Sequence, residues 1–420
     1  MLNKILPKSS FAKNVLTLMT GTTIAQAIPI AITPVLTRMY TPEDFGVFAL
    51  FVAIATIIGS VANGRYELAI MLPVEDDDAL NIAAMGMLIA TVLALMLVFP
   101  AVYFNNYLAA VLDNEFIAYW LYFVPLVVWL IGLYNVLNYL NNRKKAYMDM
   151  AKATVYKSVA QAMVQLGYGA LKGTASGLIS GQIASHIMAN ARLAMNVRNN
   201  YRIASVKWLS MRRVARRYID FPKYSMWAVF ANTLSVQLLN ILITAYYSVA
   251  TLGFYSLAQR ILGMPTNLIG ISIGQVYFQQ ATKEKNETGK AVKIFRATSK
   301  RLVVLSCAFF IPLYFLVPAL FELAFGEQWQ AAGIYAQIIL PVFAVRFVSA
   351  TLSNTNSIFE RQKLSLIWQV AFLVLSMLCL FVCGYLDFSF EMFLRTYSIV
   401  ITIHYLLLLA LLKLVSEAKI

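Results

Sequence analysis

Charge is what this chain has least of. Only 13% of its 420 residues are Asp, Glu, Lys or Arg, about half the share a soluble chain of this size carries. Acids are the scarcer sign, 19 against 34 bases, for a net charge of +15. The two histidines, His186 and His404, have no acid or cysteine at ligand spacing and read as packed side chains. The three cysteines, Cys307, Cys379 and Cys383, fall inside apolar runs and form no metal-ligand pattern, so buried, unreactive thiols are expected. No phosphate-cradling Gly loop, HExxH helix or nucleophile elbow occurs. Catalytic residues, metals and cofactors are therefore not expected. The one acidic run, Glu75-Asp76-Asp77-Asp78, fits no calcium loop, and its aspartates are expected to cap the next helix and stay solvated.

What fills the chain is apolar: 60% of residues are hydrophobic and the mean hydropathy is +0.70. The runs are continuous for about 20 residues, which fits membrane-spanning helices and not the short alternating strands of a membrane barrel. Windows of that length fall at about 14–36, 45–63, 80–104, 116–138, 152–171, 174–191, 225–248, 253–278, 302–325, 334–356, 365–385 and 392–412. The expected fold is an all-α polytopic membrane protein of twelve transmembrane helices. Lys4, Lys8 and Lys13 precede the first run, but that run is too long for a signal-peptide core and reads as an uncleaved span.

Residues 192–223 carry nine Lys or Arg and a single acid, Asp220. A basic stretch set between apolar runs reads as a cytoplasmic loop and not as a nucleic-acid surface, because Lys and Arg resist translocation. With the N-terminus inside, the other inside segments hold Lys4, Lys8 and Lys13; Arg65; five from Arg143 to Lys157; seven from Lys283 to Arg301; Arg361 and Lys363; and Lys413 and Lys419. The outside connections hold only Arg38, Lys172 and Arg395. This asymmetry favours N-in/C-in and an even helix count. The chain then divides into an N-terminal lobe (1–200), a basic cytoplasmic linker (201–222) and a C-terminal lobe (223–420), six helices to each lobe. The stretches 21–33 and 232–244 are weakly alike: both have Thr, Gln, Ile, Ile and Thr at matching positions. Paired halves suit alternating access about a central pathway.

Several polar groups sit in the apolar windows. The first window holds Gln26 among five threonines, with Pro29 and Pro34; the seventh holds Asn232, Gln237 and Asn240. Such amides either bond neighbouring helices or line a wet cavity. Arg260 and Arg346 lie within spans without an acid on the same helix. Each costs about 2.5–3.5 kcal/mol at a helix centre, so each is expected to face a cavity or a partner. A cavity of net positive charge suits an anionic ligand. Neither the first nor the seventh window contains Asp or Glu.

The run LTRMYTPEDFGVFAL at 36–50, RYELAIMLP at 65–73 and FGEQW at 325–329 with Ala332-Gly333 and Tyr335 together resemble Wzx-type polysaccharide flippases. These O-antigen and capsule transporters belong to the multidrug/oligosaccharidyl-lipid/polysaccharide exporter superfamily. The resemblance implies a two-lobed transporter of the bacterial inner membrane that moves an undecaprenyl-diphosphate-linked oligosaccharide to the periplasmic leaflet. Arg346 and Arg260 would meet the diphosphate, the amides Gln26, Gln237, Asn232 and Asn240 the sugars. Arg65 and Glu67, which match the family's Arg-Tyr-Glu, would serve as a cytoplasmic gate or lobe contact. Partners implied are the lipid-linked oligosaccharide, membrane lipids and glycan polymerase or assembly proteins. Two alternatives stand beside this. An ion-coupled drug or small-molecule exporter would need a carboxylate in the first or seventh helix, and a membrane glycan polymerase a large basic outer loop.

Overall fold

The computed structural model describes residues 10–111, 115–171, 173–201, 203–264 and 266–419. Among these the chain is helical throughout and forms no strands. Contacts group it into two compact units, Met1–Val249 and Ala250–Ile420.

The first unit runs through α1 (Ser10–Met39), α2 (Pro42–Gly59), α3 (Tyr66–Ala69), α4 (Asp76–Tyr103), α5 (Asn105–Val111), α6 (Glu115–Leu121), α7 (Val124–Arg143), α8 (Tyr147–Ala170), α9 (Ala175–Asn200), α10 (Trp208–Arg217) and α11 (Met226–Tyr246). Its densest packing joins α8 to α9 and α1 to α8, with α4 on α7 beside them. The start of α2 is set by a capping box. The Thr41 hydroxyl accepts the Asp44 N–H at 3.2 Å, and Asp44 accepts the Thr41 N–H at 2.9 Å, with Pro42 in the first turn. The other Asp44 oxygen accepts the Ala175 N–H at 2.6 Å, so one carboxylate closes the starts of α2 and α9. Tyr40, fully buried, donates to the Gln165 carbonyl at 2.6 Å. The MYTPEDFG stretch is thus a packing device at one end of the unit.

Gly46 lets α2 touch the backbone of Val249: a Cβ there would sit 1.9 Å from the Val249 carbonyl oxygen. Backbone cannot swing aside as a side chain would, so Gly46→Ala is expected to destabilise the protein by about 1–3 kcal/mol. Thermal unfolding of the detergent-purified variant checks this; an unchanged midpoint would refute it.

The second unit comprises α12 (Val249–Leu262, all but its first residue), α13 (Ile271–Thr288), α14 (Val292–Phe325), α15 (Gln330–Leu352), α16 (Asn354–Ile358), α17 (Gln362–Tyr385) and α18 (Phe390–Ser416). α15 is its centre, packed on α14 and α18. The FGEQW stretch turns the corner between α14 and α15: Gly326 takes φ 99°, open to glycine alone, and Trp329 is fully buried.

Among the described residues eight helical segments are long and apolar enough to cross a membrane, which makes this a multi-pass all-α membrane protein. The remaining predicted windows are helical too, as α1, α8, α9 and the α12–α13 pair. Two windows are divided. Residues 253–278 form the end of α12, a wide π-helical turn at Thr266–Gly270 and the start of α13. Residues 116–138 begin in the short α6 and continue in α7.

The acidic run is more engaged than expected. Asp76 pairs with Arg143 at 2.9 Å and Lys144 at 2.5 Å, and Asp78 with Arg213 at 2.8 Å. Arg143 also donates to the carbonyls of Ile70, Pro73 and Val74, holding the 70–76 loop closed.

Candidate functional site

Arg346 occupies a distinctive place on α15. Every residue of that helix after Gln330 is buried or half-buried except Arg346, which is exposed. Its electrostatic neighbours include tyrosines of α12 and α18. Tyr255 and Tyr397 interact with each other, and the Arg346 guanidinium acts electrostatically on Tyr255, Tyr397 and Tyr405. Among the described ion pairs none involves Arg346. A membrane-embedded guanidinium without a carboxylate, beside tyrosines, offers planar bidentate donors to an anion.

Arg260 is half-buried in the last turn of α12, one turn before the break at 263–270. A cation there faces the negative end of the helix dipole. The break follows the pattern of interrupted helices that line pathways in transporters.

The amides fall into two groups. Asn240 donates to Gln237 at 3.0 Å within α11, both half-buried, while Asn232 is exposed one to two turns earlier. Gln26 is half-buried on α1, and no hydrogen bond joins it to the α11 amides among the described residues. Gln237 and Asn240 are therefore brought together by the fold, and Gln26 and Asn232 stand apart.

Arg65 and Glu67 are a true pair. Gly64 and Arg65 both take left-handed backbone, φ 58° and 64°, which turns the chain sharply into α3. The turn sets the Arg65 guanidinium 3.0 Å from the Glu67 carboxylate, with Glu67 only 3% exposed and Arg65 22%. Between them Tyr66 donates to the Ala215 carbonyl of α10 at 2.9 Å. Arg65 Nε and the second Glu67 oxygen are buried without a partner among the described residues. Burial pushes the Glu67 carboxyl above its ordinary 4.5, although its own backbone bond and Arg65 pull the other way. A raised acid binds more protons folded than unfolded, so Glu67 supports the fold at low pH and loses that contribution as pH climbs from 4.5 through its folded value. The thermal midpoint of wild type relative to Glu67→Gln should fall across that window. Parallel pH curves for the two proteins would sink the assignment.

One residue escaped the sequence reading. Lys157, counted there with the inner loop, lies about three turns into α8. Its ammonium sits 5.0 Å from the Tyr134 ring centre on α7, and that ring meets His186 of α9 edge-on at 6.4 Å. No described ion pair involves Lys157. The signal available was its place inside the apolar window 152–171, five residues past its start. Each unit thus carries a cation within its helices, Lys157 in the first and Arg346 in the second, that none of the described ion pairs engages.

A multi-pass helical membrane protein with cations inside its helices is the class these features define. The chain belongs to the Polysaccharide biosynthesis protein family, whose profile matches residues 35–333. It is similar to the teichuronic acid biosynthesis protein TuaB of Bacillus subtilis (strain 168), 28% identical over 173 residues, 40% of this chain and 35% of that one. It is also similar to the succinoglycan biosynthesis transport protein ExoT of Rhizobium meliloti (strain 1021), 21% identical over 308 residues, 71% of this chain and 59% of that one. The matches thus span about a third and three-fifths of these relatives. In fold it resembles the lipid II flippase MurJ in an inward closed conformation. The TM-score is 0.74 at 12% identity, over 95% of this chain and 87% of that one.

Proposed function

We propose that this protein is a flippase for an undecaprenyl-diphosphate-linked oligosaccharide repeat unit, working by alternating access in the bacterial inner membrane. The observation that carries the reading is Arg346, the one exposed residue of α15 after Gln330, within electrostatic reach of Tyr255, Tyr397 and Tyr405. A diphosphate crossing a low-dielectric region needs paired donors, and Arg346 supplies them. Arg260 is a second contact to the diphosphate, and Lys157 a cation of the same sign in the N-terminal unit. Gln237 and Asn240, already bonded to each other, present a paired amide to sugar hydroxyls, with Gln26 and Asn232 as further contacts. Arg65 and Glu67 act as the inner gate.

The proposed topology is twelve spans, N-in/C-in, in lobes 1–200 and 223–420 joined by the basic segment 201–222. That division follows charge and helix order, whereas side-by-side packing groups α11 with the first unit. The partners are the lipid-linked oligosaccharide, membrane lipids and the glycan polymerase or assembly proteins that take up the flipped unit. The exporter alternative lacks the carboxylate it would use, since α1 and α11 contain no Asp or Glu.

Deletion of the gene in its host tests the reading. Surface glycan should be lost while the lipid-linked unit accumulates on the cytoplasmic leaflet. Unchanged glycan with lowered resistance to cationic drugs would establish the exporter instead.

A further inference from the structure

The basic segment folds into an amphipathic helix tied at both ends to membrane-spanning helices. At its start the Lys207 N–H donates to Asn81 of α4 at 2.9 Å, and Asn81 donates to the Ser205 carbonyl at 3.2 Å. Arg213 pairs with Asp78 in the first turn of α4. At its end, the span beginning at Phe221 follows within four residues of Arg217. α10 is therefore held where α4 and α11 meet the edge of the membrane.

Its two faces differ sharply. Met211 and Val214 are buried, Val214 in the core with Tyr66, Ile70, Leu80 and Leu193. At 100° per residue the opposite face gathers Leu209, Arg212, Arg213 and Arg216, with Trp208 and Arg217 on its flanks. Trp208 is 63% and Leu209 83% exposed, and the four arginines are exposed as well. Ile219, Tyr224 and Trp227 continue an exposed apolar and aromatic band into α11. A Trp and Leu facing outward among arginines would be a poor surface in bulk water. It matches a leaflet in which apolar rings sit at headgroup level and cations meet phosphates.

We propose that the outward face of α10 docks on the anionic phospholipid headgroups of the leaflet at this membrane face, with Trp208 and Leu209 inserted and Arg212, Arg216 and Arg217 paired to phosphates. The occupant follows from charge: three arginines that none of the described ion pairs engages, at a fixed depth beside two helix ends. Arg213 is held by Asp78 and serves as the tether. This docking is independent of transport and is measured without it.

The test uses the full chain in lipid nanodiscs, either neutral phosphatidylcholine or containing phosphatidylglycerol. Its three cysteines are replaced by serine and a polarity-sensitive dye is placed through Leu209→Cys. In phosphatidylglycerol discs the dye should shift to the blue and its quenching by aqueous iodide should fall severalfold, an effect weakened by high salt. Changing Arg212, Arg216 and Arg217 together to Gln should abolish the dependence on phosphatidylglycerol, and changing them to Lys should keep most of it. Equal quenching in both kinds of disc, or a Gln variant that behaves as its parent, would overturn the proposal. So would protection in neutral discs that appears only on adding a polyprenyl diphosphate, since the face would then take the lipid-linked ligand.

Discussion

Arg346→Ala, expressed and inserted at wild-type levels, should restore roughly a tenth to a hundredth of the surface glycan made by the wild-type gene in a deletion host. A hydrogen bond to a charged group contributes about 1.5–3 kcal/mol, and each 1.4 kcal/mol is about tenfold in an equilibrium. The expectation rests on position: Arg346 is the one exposed residue of α15 after Gln330, the others being buried or half-buried. Arg346→Lys keeps the charge but loses the planar fork, so it should recover only part of the activity. Tyr397→Phe, which removes one hydroxyl within the guanidinium's electrostatic reach, should act more mildly. Full complementation by the Ala variant would remove Arg346 from the pathway and with it the argument for an anionic ligand.

Removing Arg65 should cost the protein about 2–3 kcal/mol of stability. Glu67 is almost wholly buried, and taking away one partner of a buried pair leaves the other to be desolvated alone. The upper end of the usual range does not apply, because Arg65 is partly open and Glu67 can take up a proton. Arg65→Ala should therefore lower the thermal midpoint of the purified protein, and adding Glu67→Gln should return much of the loss. A double-mutant cycle measures the coupling directly. If the two single variants are additive, the pair contributes nothing and the gate assignment loses its structural basis.

Much of this architecture could be read before any coordinates. The apolar windows correspond to helices because a backbone in lipid must satisfy its own hydrogen bonds, and the flippase resemblance at 36–50 and 65–73 falls within the matched family region. The breaks were only partly legible. Gly263 and Pro265 punctuate the run just before Thr266–Gly270, but the apolar pattern resumes past them, and the aromatic residues at 119–123 carry it straight across the join of α6 and α7. Lys157 was misplaced for a related reason. A single cation next to a loop full of cations looks like loop charge until α8 is seen to begin at Tyr147. The acidic run suggested caps, but only tertiary contact could bring Arg213 from the central segment to Asp78. The candidate arginines were visible as anomalies of composition; the tyrosines near Arg346 were not, because Tyr255 lies about ninety residues before it and Tyr397 and Tyr405 fifty or more after.

The two-sided role of Asp44 has a consequence for the order of assembly. One oxygen closes the capping box at Thr41 as soon as the first turn of α2 exists, while the other awaits Ala175, 131 residues later. Until α9 is made, water can serve that second oxygen, so the link between the starts of α2 and α9 is a late, non-local closure that exchanges hydration for a backbone partner.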